Sequence, residues 1–198
     1  MYKMIISVSM CCLMSLKVLG LTCIYGNQAL VIREDNKSVY IESRAQNLPP
    51  HLGTIMICAH KLSIDTINQL DILLRNVETV GYLKFMASGT PLDLETLDLL
   101  MKMMVPYKSF VIMDLSGSCI EDKHIHCLLK HANDLSFAYL DLSKNNISEK
   151  AAQKLAKLDS LLWLSLDNNP IDPKNICQLN KNVMSSAMHR LIPYLFSF

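Results

Sequence analysis

Two stretches toward the C-terminal end, FAYLDLSKNNIS from Phe137 and LLWLSLDNNPID from Leu161, match each other position for position at an offset of 24 residues. With apolar residues at positions 1, 4, 6 and 11 of the shared pattern and Asn at 9, the first copy supplies Phe137, Leu140, Leu142, Ile147 and Asn145. The second supplies Leu161, Leu164, Leu166, Ile171 and Asn169. A fixed-period repeat constrains the fold strongly, because each unit is one supersecondary element that must bury its apolar side against the next. The alternation at positions 4 and 6 directs two side chains to one face of a short strand. Asn at position 9 ends that strand. Its amide can bond backbone groups of its own turn and of the neighbouring unit that would otherwise be buried unpaired.

The pattern weakens upstream but persists. Phe110, Met113, Leu115, Ser118 and Ile120 form a third copy, with Ser in place of Asn. Val80, Leu83, Phe85 and Ser88 form a fourth, and Leu52, Ile55, Ile57, His60 and Leu62 a fifth. Position 6 then falls at Ile57, Phe85, Leu115, Leu142 and Leu166, in steps of 28, 30, 27 and 24. Between the strands, apolar residues recur every three or four positions over Ser63 to Arg75, Asp93 to Lys102, Glu121 to His131, Ser148 to Lys157 and Asp172 to Lys181. Each is the buried stripe of a helix. Ser148 and Asp172 are suited to cap two of these helices, and Pro173 suits a first helical position. Strand and helix alternating at this period resemble the leucine-rich-repeat family, and the longer steps resemble its ribonuclease-inhibitor-like class. The resemblance implies an α/β solenoid of about five repeats over residues 52–182, with a curved parallel sheet on the concave side and helices on the convex side.

The ends of a solenoid need covers. Residues 27–51 contain Leu30 to Glu42, which reads as two short strands around an Asp-Asn-Lys turn and predicts an N-terminal cap hairpin. Residues 183–198 are apolar at Val183, Met184, Met188, Leu191 and Ile192 and are expected to close the other end. Ahead of the cap, residues 1–26 have Lys3, an apolar run from Met4 to Leu16 and small residues at Gly20, Thr22 and Gly26. This is the layout of a secretory signal peptide, cut after Thr22 or Gly26. An uncleaved membrane anchor is the rival, interrupted only by Lys17. Export, to the outside of the cell or at least of the cytoplasm, is therefore expected. Of seven cysteines, Cys58, Cys119, Cys127 and Cys177 lie beyond that segment. They show no CxxC, and either two disulfides or four isolated thiols fit them.

Residues between the buried positions point to the open face of the sheet. Position 3 reads Thr54, Tyr82, Ile112, Tyr139 and Trp163, and position 5 reads Met56, Lys84, Asp114, Asp141 and Ser165. Asp167 follows at position 7. The single Trp and two of the seven Tyr thus fall in one column. Aromatics in a row on a solvent-facing sheet are the usual anchors of a protein interface. The expected function is capture of a protein partner through Tyr82, Lys84, Ile112, Asp114, Tyr139, Asp141, Trp163, Ser165 and Asp167, without catalysis or cofactor. The rival for these residues is that the aromatics merely cover their strand neighbours.

Nineteen basic residues against 18 acidic give a net charge of +1, which offers no footprint for nucleic acid. A membrane would be met only through the N-terminal segment. The run from His124 to His131 raises the one competing chemistry, an enzyme or metal protein using His124, Cys127 and His131 on one helical flank. No second ligand pair accompanies it, so no metal is expected. Ser116-Gly117-Ser118 lacks the Gly-x-Ser-x-Gly elbow, and no P-loop, GxGxxG or HExxH occurs.

Overall fold

A computed structural model describes residues 14–18, 21–26, 29–34, 51–58, 62–107 and 109–195, with side chains at 55–57 and across most of 62–189. The described chain is α/β. Eight strands lie side by side in sequence order: β1 (Met14–Val18), β2 (Leu21–Gly26), β3 (Ala29–Glu34), β4 (His51–Cys58), β5 (Thr79–Met86), β6 (Phe110–Asp114), β7 (Ser136–Asp141) and β8 (Trp163–Ser165). The first two pairings are antiparallel, and every pairing from β3 onward is parallel. A helix separates each parallel strand from the next after β4: α1 (Ile64–Leu74), α2 (Leu94–Met104), α3 (Asp122–His131) and α4 (Glu149–Leu155). The helix α5 (Pro173–Leu195) follows β8.

Burial alternates along the inner parts of β5 and β6 and at the end of β7. Leu83 and Phe85, Val111 and Met113, and Leu140 and Leu164 are almost wholly inaccessible, while Tyr82 and Phe110, next to Leu83 and Val111, are half exposed. From β5 to β7 the helices therefore cover one face of the sheet, and the buried helix residues Leu97, Leu100, Ile125, Leu128, Ala152 and Leu155 complete that core. Each fully buried Leu or Phe contributes roughly 1.5–3 kcal/mol of transfer free energy.

The turns after the strands recur in the same form. Gly89, Gly117, Lys144 and Asn168 all have positive φ, between 56° and 71°. Gly89 donates its N–H to the Ser116 carbonyl, Gly117 to Ser143 and Lys144 to Asp167, at 2.7–2.9 Å. Asn145 Nδ2 donates to the carbonyls of Leu115, Leu142 and Ser143, and its Oδ1 accepts from the Ile120 N–H. Asn169 repeats the arrangement after the next strand, with Leu142, Leu166 and the Ile147 N–H. Ser118, lacking an amide, reaches the Ala87 carbonyl with its hydroxyl, and the Leu92 N–H uses the Ser118 backbone carbonyl instead. One Asn thus ties the turns after two successive strands together.

Helix starts follow from their caps. Ser63, Asp93 and Ser148 each accept a hydrogen bond from the N–H three residues on. Asp172 accepts from the Lys174 N–H, ahead of Pro173 at the first position of α5. That helix does not stop at Lys181. It runs to Leu195, with Ile176, Leu179, Val183 and Ala187 buried along one stripe, so the expected separate closing segment from residue 183 is the second half of the same helix.

The N-terminal edge also differs from expectation. Leu30 to Glu34 belongs to β3, but its antiparallel partner is β2, upstream, with Leu21 opposite Glu34. The expected second arm, Ser38 to Glu42, lies outside the described residues, as do residues 1–13 of the apolar N-terminal run.

Candidate functional site

The helix-free face of the sheet is built by strand register. Tyr139 pairs with Trp163 and with Ile112, Ile112 with Lys84, and Lys84 with Met56. One row therefore runs Met56, Lys84, Ile112, Tyr139, Trp163. Tyr82 is not in it. It pairs with Phe110, two residues earlier, and the two rings lie 6.0 Å apart at 30°. The second row runs Met86, Asp114, Asp141, Ser165, so Lys84 is not beside Asp114 as the sequence pattern predicted.

Both corrections come from a slip of two residues in the upstream copies. Such a slip leaves every inward residue inward, so hydrophobic alternation cannot detect it. A separate one-residue bulge sits at β7, where Val111 faces Phe137 but Ile112 faces Tyr139, leaving Ala138 as an extra, buried residue. With β5 and β6 in register at 28 residues, the true equivalents of Leu142 and Asn145 are Ala87 and Thr90, not Phe85 and Ser88. A signal for this was present: Ser88-Gly89-Thr90 and Ser116-Gly117-Ser118 lie 28 positions apart and carry the positive-φ glycines. Aligning on them also sets Phe110 beside Tyr82 on the open face, where the sequence pattern had not placed it. Phe110, expected inward at position 1, is 53% exposed.

Tyr139 and Trp163 stack, with ring centroids 3.9 Å apart and planes 2° from parallel. Burial, and then the nearby Asp141 and Asp114 carboxylates, push the Tyr139 phenol above its usual pKa. The acidic residues are not equivalent. Asp114 accepts from the Ser116 N–H and Asp141 from the Ser143 N–H, both at 3.0 Å, so each also holds its own turn. Asp167 is exposed and has no such duty. Ser165, expected on the open face, is buried because α5 packs against β8 at this end. A cleft of about 270 Å³ remains there, lined by Trp163, Ser165, Asp167, Asn180 and Met184 among others.

On the helical side the expected trio divides. His124 is buried at the start of α3, where its Nδ1 accepts from the Glu121 N–H at 2.9 Å, and it serves as a cap. Burial holds its pKa below the usual value. Cys127 and His131 instead meet Asp98 of α2. His131 Nε2 lies 2.9 Å from Asp98 Oδ1, Cys127 Sγ lies 3.7 Å from it, and the Lys102 and Lys130 ammoniums lie 2.7 and 3.1 Å from the carboxylate. The bonds from His131, Lys102 and Lys130 hold Asp98 well below the usual carboxylate range. Burial, then Asp98, pushes the Cys127 thiol up to about 11.

The Asp98, Cys127 and His131 ligand atoms fall within 4.8 Å of one another. A cation there would have to displace two ammonium groups and take the proton of a reluctant thiol. Asp98 is better suited to joining α2 to α3 as an ion-pair hub. The thiols of Cys119, Cys127 and Cys177 are free, and the Cys58 side chain lies outside the described residues.

Among the described residues, no helix is long and apolar enough to cross a membrane. The chain matches no family model and no curated protein.

Proposed function

We propose that the chain is a leucine-rich-repeat solenoid of the ribonuclease-inhibitor-like class that captures a protein partner on the helix-free, concave face of its sheet. The class is supported by recurrence at the level of the backbone. The same positive-φ turn follows four successive strands, and Asn145 and Asn169 make equivalent bonds one coil apart. One observation carries the function: Ile112, Tyr139 and Trp163 stand side by side on the uncovered face, with Tyr82 and Phe110 adjoining. A sheet face stabilised only for its own sake would cover such rings, whereas an interface leaves them as anchors.

The partner is a protein, and the site binds it without chemistry or cofactor. The enzyme or metal alternative finds less support, since His124 caps a helix and Asp98 is saturated by ion pairs. Export remains the preferred destination, with a membrane anchor as the rival. A cut after Thr22 would remove β1 and the first two residues of β2, and a cut after Gly26 all of both, strands at the outer edge of the sheet; either leaves β3 onward whole. N-terminal sequencing of protein recovered outside the cytoplasm tests it, and an intact Met1 there refutes cleavage.

The binding role is tested by affinity capture with wild type, Ile112→Asp on the sheet face and Lys150→Ala on the helical face. Loss of a specific partner with Ile112→Asp alone supports the role. Equal capture by all three removes it.

A further inference from the structure

The cleft between β8 and α5 has a chemistry distinct from the rest of the sheet face. Tyr139 covers one face of the Trp163 indole. Because β8 is the last strand, no neighbouring strand supplies a ring for the other face, and the indole borders the cleft. Met184, 59% exposed on α5, adds an apolar wall. Asp167 lines the same cleft, and its carboxylate makes no hydrogen bond or ion pair among the described residues, unlike Asp114 and Asp141. Asn180, one turn before Met184, borders it too, and its Oδ1 is shielded from solvent without a partner.

A flat aromatic surface, a free carboxylate and an unpaired amide oxygen are what a planar cation requires. A guanidinium can lie over the indole and extend the Tyr139–Trp163 stack. Its five N–H groups can reach Asp167 and, after a small rotation of the amide, Asn180 Oδ1. An ammonium would meet the carboxylate but lacks the plane. We propose that this cleft is a socket for an arginine side chain presented by the protein partner. This inference deepens the partner-binding role of the sheet face and rests on it.

Trp163 is the only Trp in the chain, so intrinsic tryptophan fluorescence reports on the socket alone. The full chain is titrated with acetyl-Gly-Arg-Gly-amide, with the citrulline peptide, which keeps the shape and loses the charge, and with the lysine peptide. Saturable change is expected with arginine, with affinity about tenfold or more weaker for citrulline and intermediate for lysine. Asp167→Asn, at an exposed position, should weaken the arginine response about fivefold or more while thermal unfolding stays unchanged. Equal responses to arginine and citrulline, indifference to Asp167→Asn, or no saturable response each overturn the socket. Partner capture by the Ile112→Asp variant is read in parallel. If capture depends on Ile112 but the arginine response is missing, the socket alone fails. If capture is indifferent to Ile112, the face itself fails.

Discussion

Tyr139 and Trp163, on adjacent parallel strands, lie face to face with ring centroids 3.9 Å apart. The pair holds a flat apolar plate open to solvent at the end of the sheet. A stacked aromatic pair contributes about 0.5–1.5 kcal/mol beyond the area it buries. Tyr139→Ala should therefore lower the unfolding free energy by about 1 kcal/mol and shift the Trp163 emission toward that of a more hydrated indole. Urea unfolding with fluorescence detection checks both. A loss above about 3 kcal/mol would mean the ring belongs to the core and not to a docking face.

The asparagine bonds set a second expectation. Asn145→Ala strands the Ile120 N–H and several carbonyls in a place water reaches poorly, at a cost of about 2–4 kcal/mol. Ser118→Ala at the equivalent site removes one principal donor bond, to the Ala87 carbonyl, at about 1 kcal/mol. Parallel denaturant curves for the two variants decide it. Equal losses would show that the amide does not bridge coils as described.

His124 gives a pH dependence with a definite sign. Burial lowers its folded pKa, and its Nε2 is buried without a partner. The neutral ring is favoured by folding, so its contribution is complete above the unfolded value of about 6.5 and declines as pH falls below it. His124→Gln keeps a side chain able to accept from the Glu121 N–H, as in an ordinary capping box, and removes the titration. Stability measured from pH 7.5 to 5 should fall in wild type and stay flatter in the variant over the part of that range below about pH 6.5. Identical slopes would contradict the assignment.

The two C-terminal copies were legible because their side chains do two jobs at once. Leu140, Leu142, Leu164 and Leu166 fill the core, and Asn145 and Asn169 bond across coils, so residue identity marks both phase and turn. Upstream, Thr90 and Ser118 occupy the Asn position, and alternation alone is blind to a two-residue slip. The bulged Ala138 hid a second feature, the outward turn of Phe110. The left-handed turn at Lys144 was not legible, since Lys carries no preference for positive φ. Nor was Asp98 as the partner of His131, because the two are 33 residues apart and meet only when α2 packs on α3.

The most direct measurement is the affinity of the captured partner for three purified variants: Ile112→Asp and Tyr139→Ala on the sheet face, and Lys150→Ala on the helices. Burying a charge at the centre of an interface, or removing an aromatic anchor from it, costs about 2 kcal/mol or more, a loss of roughly thirtyfold in Kd. The account predicts such losses for Ile112→Asp and Tyr139→Ala, with Lys150→Ala binding as wild type. Undiminished binding by both sheet-face variants, or a loss confined to the helical variant, would contradict it.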